Sequence, residues 1–167
     1  MTRTRPPLDP LAVAAVATLS AGPHAPAELF AAVDALARRL IGHRLCTVMC
    51  LHPQAHEVER LHSSDPASYP PGGRKHKAGT AWGAAVLERG EVFLCRDEAD
   101  IRRHFDDHAL ILGLGLGSMM NVPIGFGGRV LGTLNLSHEP GWFGPEDVPA
   151  GRVLAALLAP ELLAMEH

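Results

Sequence analysis

The sequence predicts a single α+β domain in which helices pack against a central antiparallel β-sheet. The 167 residues fall within the usual size of one domain, and no change in composition divides them into halves that could each bury a core. The predicted elements follow the order helix, two strands, short helices around one strand, a hairpin and a last helix. We therefore expect terminal helices on one face of the sheet and loops and short helices on the other, with space for a ligand beneath those loops.

The composition argues against several kinds of function. Apolar residues make up 47% and charged residues 20% of the chain, so it can bury enough apolar surface to fold without a cofactor. The formal net charge of -3 gives no attraction to phosphate backbones or anionic lipids, and no stretch reaches the roughly 20 apolar residues of a membrane span. Nucleic acid and membrane are therefore not expected partners. The three cysteines, an odd number, favour a reducing compartment, and we expect a cytoplasmic protein.

The first 25 residues are expected to form a helical extension (1–25) ahead of the domain proper (26–167). Arg3 and Arg5 precede an apolar run at 11–19 that resembles a secretory leader, but three prolines and an aspartate interrupt the pattern. The spacing instead favours an amphipathic helix, whose apolar face would be formed by Leu8, Leu11, Ala15 and Leu19.

The domain begins with one predicted helix and two predicted strands. Apolar residues at helical spacing predict a helix over 26–41, which Gly42 ends. The segment 45–52 is apolar on both faces, as in a central strand, whereas 57–63 has apolar residues among charged ones, as in a more exposed strand. The short turn between the two segments predicts a hairpin.

The middle of the chain is expected to hold a long loop and several short elements. Prolines, glycines and the basic cluster at 74–77 argue against regular structure over 65–79, and loops of this length are often functional. The basic cluster could hold an anion, although a solvated loop is the more common role of such charges. The following pattern predicts a short helix capped by Thr80, a buried strand at 91–95 and a polar helix over 97–105.

Two further strand patterns and a last helix complete the domain. The glycine-rich run 113–117 predicts a flexible approach to a hairpin of strands at 117–125 and 129–138, joined by glycines that can adopt positive φ. A final helix is expected from about residue 145 to residue 165, bent or interrupted by Pro160.

The hairpin carries a resemblance to GAF domains. Its first strand, Gly117-Ser118-Met119-Met120-Asn121-Val122-Pro123-Ile124, and its second strand, which contains Gly128-x-x-x-Gly132-x-Leu134, are similar to the pattern of that family. Phe143 and Glu146-Asp147 follow at the start of the last helix, and the order of elements extends the resemblance over about residues 26–163. The resemblance implies a GAF-like, profilin-like fold and a bacterial-type sensory or regulatory module in signal transduction, which binds a small molecule and has no catalytic or output domain of its own.

The motifs of the GAF subfamilies are matched only in part. The lysine of the cyclic-nucleotide signature has no counterpart, and neither Cys50 nor Cys95 precedes the histidine found in bilin-attaching members. The free methionine sulfoxide reductases are the enzymatic branch of this family, and Trp82 occupies the position at which they carry a cysteine. The identity of the ligand and of any cofactor is therefore left open.

The predicted ligand site lies between the hairpin strands and the loops over 69–108. Tyr69 and Trp82 are expected to wall it, because aromatic side chains with a polar tip suit a small ligand. Asn121 and Asn135 lie on the strand face opposite Val122, where they could form hydrogen bonds to a ligand. The complete set of candidate ligand-binding residues is Tyr69, Trp82, Cys95, Phe105, Asp107, His108, Ser118, Asn121 and Asn135.

Other functions remain open at this point. Cys95, at a strand end beside the expected pocket, could support a redox enzyme of the free methionine sulfoxide reductase type, whereas Cys46 and Cys50 are better explained as core residues. His104 and His108 are four residues apart and could share a helix face, but no third ligand is identifiable, and we assign no metal site. The chain could also be a ligand-free scaffold, since apolar stripes on its terminal helices predict a homodimer.

Overall fold

The computed structural model describes residues 3–166, which form one sheet with long helices on one of its faces. The helices are α1 (Pro10–Ala21), α2 (Pro26–Leu40), α3 (Glu98–His104), α4 (His108–Gly113) and α5 (Val148–Ala164). The strands are β1 (Leu45–His52), β2 (Glu57–Ser63), β3 (Arg74–His76), β4 (Phe93–Cys95), β5 (Ser118–Phe126) and β6 (Arg129–His138). A π-helical segment, Gly83–Glu88, lies between β3 and β4, and a 3-10 turn, Pro145–Asp147, precedes α5. Within the described residues, no helix combines the length and the apolar character that crossing a bilayer requires.

The strands form an antiparallel sheet in the order β3-β2-β1-β6-β5-β4. β5 and β6 pair along their whole length, from Ser118 opposite His138 to Phe126 opposite Arg129. β1 pairs with β6 on the side away from β5. Because β1 also pairs with β2, it joins the β5–β6 hairpin to the β1–β2 hairpin. The predicted α+β class and the central antiparallel sheet are therefore confirmed.

Side chains of the three central strands alternate between the two faces of the sheet. Even-numbered positions of β1, β5 and β6 face α2 and α5, and they include Cys46, Val48, Met120, Val122, Leu134 and Leu136. Leu29 and Val33 of α2 and Leu154 and Leu158 of α5 cover them, and all four leucine and valine side chains are fully buried. Because strand side chains have a period of two, the odd-numbered positions point to the opposite face. Leu131 is an exception: it lies next to the β-bulge at Ile124/Gly125 and enters the helix-side core.

Gly132 marks the place where β6 approaches both β1 and α5 most closely. A Cβ atom at this position would lie 2.0 Å from the carbonyl oxygen of Met49 and 2.6 Å from Cδ2 of Leu162. Both separations are far shorter than a van der Waals contact, which is about 3.5–4.0 Å between carbon atoms. Only glycine allows α5 to lie this close to the centre of the sheet.

A buried ion pair holds the N-terminal extension against the start of α5. Nε of Arg5 lies 2.6 Å from Oδ1 of Asp147, and its Nη2 donates to Oδ2 at 3.0 Å and to the carbonyl oxygen of Trp142 at 2.7 Å. Asp147 is 1% exposed and also accepts a hydrogen bond from the backbone N–H of Gly144. Arg5 thus ties the described part of the extension to the domain, while the assignment of a boundary after residue 25 stays a prediction.

The apolar face predicted for the first helix is wrong for three of its four residues, and only Leu19 packs against the core. Leu11 is 82% exposed and Leu8 is 46% exposed, whereas Val16 is the residue of α1 that enters the core. The side chain of Asp9 caps α1 by accepting hydrogen bonds from the backbone N–H groups of its first turn, which leaves Leu8 outside the helix. The face of α1 that packs against the core is formed by Ala12, Val13, Val16 and Leu19.

The middle of the chain has more regular structure than its composition predicts. Residues Arg74–His76 form β3, where the sequence predicts a loop, because their backbone pairs antiparallel with residues 57–59 of β2. The ion pairs of Arg74 with Glu57 and Glu59 lie on the surface and add little to this pairing. α4 is likewise not predicted. α5 continues through Pro160, so the predicted interruption is wrong; Pro160 lies on the exposed side of that helix.

Replacement of Gly132 by alanine should destabilise the domain strongly. We expect a loss of about 2–3 kcal/mol, since the new methyl group can be accommodated only by moving α5 or the β1 backbone. Urea unfolding followed by circular dichroism measures this difference. Gly113→Ala is the matched control, because a Cβ at that position meets no atom within 4 Å, and its stability should change by less than about 0.5 kcal/mol. Equal effects of the two substitutions would contradict the close approach at Gly132.

Removal of the charge on Arg5 should also destabilise the fold. Arg5→Gln leaves the carboxylate of Asp147 buried without its cation, which typically costs about 3 kcal/mol. The control is Arg129→Gln, whose partner Glu166 lies 3.1 Å away on the surface and whose loss should cost less than about 1 kcal/mol. The measurement is the free energy of unfolding of each variant. If Arg5→Gln leaves this free energy unchanged, the extension does not stabilise the domain.

Candidate functional site

A cavity of about 60 Å³ lies on the face of the sheet opposite the long helices. Odd-numbered positions of β1, β5 and β6 form its floor, and residues from the segment 69–82 and from the start of α4 cover it. Its lining is mainly apolar, with Met49 and Met119 beside a small number of polar groups. This is the place where the sequence predicts a ligand site.

A chain of hydrogen bonds between side chains crosses the floor of the cavity. Nδ2 of Asn121 donates to Oδ1 of Asn135 at 2.8 Å, and Nδ2 of Asn135 donates to the hydroxyl oxygens of Thr47 at 3.2 Å and Thr133 at 3.1 Å. These bonds fix the orientation of both amides. They leave Oδ1 of Asn121 as a buried acceptor without a donor.

Three aromatic residues form the wall above this floor: Tyr69, Trp82 and Phe105. Tyr69 and Trp82 are 7% and 3% exposed, yet neither the phenol oxygen of Tyr69 nor Nε1 of Trp82 has a hydrogen-bond partner. Burial, and then the negative charge of Asp107, raises the pKa of Tyr69 to about 12, so its hydroxyl keeps its proton. Thr80 positions Trp82 by accepting a hydrogen bond from the backbone of Gly83 at 2.9 Å, which confirms the predicted cap.

Arg60 brings a guanidinium group to the cavity from β2. Its side chain is almost completely buried, and Nη1 donates to the carbonyl oxygen of Pro70 at 2.9 Å. The guanidinium carbon lies 4.9 Å from the ring centre of Tyr69, a cation–π contact. Nε of Arg60 is buried without a partner.

Two lysines complete the cationic side of the cavity. Nζ of Lys77 lies 5.1 Å from the ring centre of Trp82, and burial, followed by the neighbouring Lys75, lowers the pKa of Lys77 below its usual value. Lys75 forms an ion pair with Asp107, which joins β3 to the start of α4 across the mouth of the cavity. Lys75 therefore closes the site, while Lys77 faces its interior.

Buried polar atoms without partners are concentrated in this one place. Over residues 3–166, five buried side-chain nitrogen or oxygen atoms lack a hydrogen bond, and four of them belong to residues that line the cavity. Such an atom typically costs about 1–3 kcal/mol unless something in the site satisfies it. Arg60 and Trp82 offer donors, Asn121 offers an acceptor and the hydroxyl of Tyr69 can be either. The arrangement suits a small anionic molecule that also carries a donor group.

Six of the nine predicted site residues line the cavity: Tyr69, Trp82, Phe105, Asp107, Asn121 and Asn135. The other three lie elsewhere. Ser118 is an even-numbered position of β5 and so lies on the helix-facing side of the sheet, where its hydroxyl donates to the carbonyl oxygen of Glu139. His108 follows Asp107 but belongs to a surface depression beside His104 and not to the cavity lining. Cys95 is buried behind the lining, among the apolar residues that surround Ile101.

The chemistry of Cys95 does not favour a redox role. The residue is fully buried, and burial, followed by the charge of Asp100, raises the pKa of its thiol to about 12. The thiolate is the nucleophile in sulfoxide reduction, and it would be scarce at neutral pH. Cys46, Cys50 and Cys95 are all free thiols.

The predicted helix face shared by His104 and His108 does not exist. α3 ends at His104 and α4 begins at His108, so the two histidines belong to different helices. The ring of His104 packs edge-on against Phe93, with the ring centres 5.0 Å apart.

The predicted site residues do not include the cations of the cavity, although the sequence allows the basic cluster at 74–77 to hold an anion. Arg60 lies in a strand pattern of alternating charged residues, where a charge normally points to solvent. Lys75 and Lys77 belong to the basic cluster expected to be solvated, and the alternation along β3 turns both of them inward while Arg74 and His76 stay exposed. The alternation of a strand around residue 75 is the signal in the sequence that could have distinguished the inward-facing Lys75 and Lys77 from the exposed Arg74 and His76.

Comparison with known proteins places this geometry in a family. A family model described as a GAF domain matches residues 24–161, which is most of the chain. No curated protein matches the sequence. The fold is similar to solved GAF domains of phosphoenolpyruvate-protein phosphotransferases. The domain from Acinetobacter has a TM-score of 0.73 at 11% identity, over 95% of this chain and 96% of that one.

Two further solved structures have the same fold. The GAF domain of the phosphotransferase from Coxiella burnetii has a TM-score of 0.71 at 17% identity, over 94% of this chain and 96% of that one. The GAF domain of a two-component sensor histidine kinase from Bacillus halodurans has a TM-score of 0.66 at 16% identity, over 80% of this chain and 90% of that one. The sheet order, the covered cavity and the match over residues 24–161 together show that this chain belongs to the GAF domain family.

Proposed function

We propose that this chain is a sensory or regulatory GAF module that binds a small anionic molecule in the cavity between the sheet and residues 69–82. The observation that carries the proposal is the concentration of unsatisfied polar atoms at one apolar cavity, next to two inward-facing cations. A regulatory role is in keeping with the similar fold of a domain from a sensor histidine kinase.

The lining supports a ligand with three parts. An anionic group such as a carboxylate would accept hydrogen bonds from Arg60, Lys77 and the indole N–H of Trp82. A donor such as an amine, amide or hydroxyl would reach Oδ1 of Asn121. A short apolar part would contact Met49 and the other apolar side chains of the lining. A free volume of about 60 Å³ holds only a few atoms, so a larger ligand requires the cover to move outward.

We further propose that the module works in the reducing cytoplasm and forms a homodimer through its terminal helices. Its three free thiols suit that compartment. Leu8 and Leu11 expose large apolar side chains on the N-terminal extension, beside the helix layer that α5 completes. Contact between two copies of this surface would bury them.

Substitutions at the cationic and aromatic lining should weaken ligand binding. A panel of small carboxylates and α-amino acids, screened by thermal shift, would first identify a ligand of the wild type. Lys77→Gln and Trp82→Phe should each raise its Kd about tenfold, since each removes one hydrogen bond worth about 1.5 kcal/mol and leaves the shape of the site nearly unchanged. Arg74→Gln is the matched control, since the side chain of Arg74 is 51% exposed.

Calorimetric titration of the three variants distinguishes the outcomes. Equal affinities in all of them would contradict the proposed site. If no panel member binds and mass spectrometry of the denatured protein finds no released small molecule, the ligand-free scaffold becomes the better explanation.

The dimer is tested by a charge on its proposed surface. Wild-type protein should sediment as twice the 17.8 kDa chain at micromolar concentration, and Leu11→Lys should sediment as a monomer because its charge would be desolvated in the interface. Leu110→Lys, on α4 and 46% exposed, is the control and should stay dimeric. A monomeric wild type removes the proposal.

A further inference from the structure

Three side chains with metal-ligating atoms, those of Asp34, His43 and Cys46, meet behind the sheet on the face opposite the cavity, and His62 contacts Asp34 beside them. Asp34 of α2 receives two histidines: Nε2 of His43 lies 2.8 Å from its Oδ1, and Nε2 of His62 lies 2.8 Å from its Oδ2. Cys46 of β1 joins them, and the ligand atoms of Asp34, His43 and Cys46 all lie within 4.8 Å of one another. Each of the four residues comes from a different part of the fold.

The surroundings of this cluster are those of an enclosed site with one open side. The side chain of His43 and the whole of Cys46 are fully buried, whereas Asp34 and His62 keep side-chain exposures of 16% and 17%. An ion could therefore enter from the side of Asp34 and His62. The thiol of Cys46 is the only sulfur ligand in the cluster and lies at its buried end.

We propose that Asp34, His43, Cys46 and His62 form a binding site for a zinc-type divalent cation. One carboxylate, one thiolate and two neutral imidazoles are donors of the kind that zinc takes in tetrahedral sites. The two negative charges balance the charge of the ion, so burial of the complex leaves no net charge behind. Binding requires the thiol proton of Cys46 to leave and each imidazole to present an unprotonated Nε2.

The ligand atoms of Asp34, His43 and Cys46 already lie within 4.8 Å of one another, whereas the imidazole of His62, which contacts Asp34 only, must turn towards the ion to become the fourth ligand. Ligand atoms around a tetrahedral zinc lie about 3–4 Å apart, given bond lengths of about 2.0 Å to nitrogen or oxygen and 2.3 Å to sulfur. The imidazoles already direct Nε2 at one carboxylate, and an ion between them would replace two hydrogen bonds by bonds to the metal. The site would link α2 to β1 and β2 and thereby stiffen the strands that carry Thr47 and Arg60 on their other face.

A second group of ligand-type residues serves as an internal comparison. Cys50, His52 and Glu59 also lie within 4.8 Å of one another, on the same hairpin but nearer to solvent. Nη2 of Arg74 lies 3.0 Å from the carboxylate of Glu59, so a cation already occupies this side. A divalent ion should prefer the cluster around Asp34.

The test is a titration of the untagged full chain with Co²⁺, which replaces zinc and reports sulfur ligation through thiolate-to-metal absorption in the near ultraviolet. We expect one equivalent to bind to the wild type with this absorption, and Zn²⁺ to displace it. Cys46→Ser should lose the absorption, whereas Cys50→Ser should keep it. Circular dichroism checks that each variant is folded.

A second pair of variants guards against misfolding of Cys46→Ser. His62 lies at the open side of the cluster, and His62→Gln should weaken Co²⁺ binding at least tenfold. His52→Gln should leave the affinity for Co²⁺ unchanged. The proposal is overturned if the folded wild type binds neither Co²⁺ nor Zn²⁺. It is equally overturned if the absorption depends on Cys50 and His52 in place of Cys46 and His62.

Discussion

The hydrogen bonds that join Asn121, Asn135 and Thr47 across three neighbouring strands depend on one register of the central sheet. A slip of β5 by one residue against β6 would turn Asn121 into the helix-covered core and Val122 towards the cavity. The apolar core on one face and the polar floor on the other are therefore two results of the same pairing. Gly132 and the buried ion pair of Arg5 keep α5 and the N-terminal extension pressed on that sheet.

Much of the fold could be predicted because local pattern and tertiary structure agree. The bounds of β1 and β2 match the predicted segments, since a strand that is apolar on both faces and a strand with mixed faces leave distinct sequence patterns. β3 could not be found in this way. β3 pairs with the part of β2 that contains Glu57 and Glu59. The composition of the segment does not indicate which acidic residues its basic side chains will face.

The site was predictable only where the side-chain type itself indicated a role. Tyr69, Trp82 and the two asparagines stand out as rare aromatics or as polar residues on a buried strand, and they line the cavity. The alternation of side chains along β5 would have excluded Ser118 from the predicted site, because it lies three positions from Asn121 and therefore on the other face of the strand. Arg60 could not be found, because its burial depends on a partner segment that the chain reaches only after residue 69. The proposed zinc-type site combines residues from α2, β1, β2 and the loop between α2 and β1, and no spacing in the sequence marks it.

Both edges of the sheet consist of strands of only three residues, β3 and β4. Basic side chains along β3 discourage pairing with other chains, as charged edge strands commonly do. β3 also belongs to the cover of the cavity, so an outward movement that admits a large guest would uncover the backbone hydrogen-bonding groups of β2. Admission of a large guest and protection of this sheet edge would thus be opposed, because a form in which β3 has moved away would expose the edge of β2 to pairing with other chains.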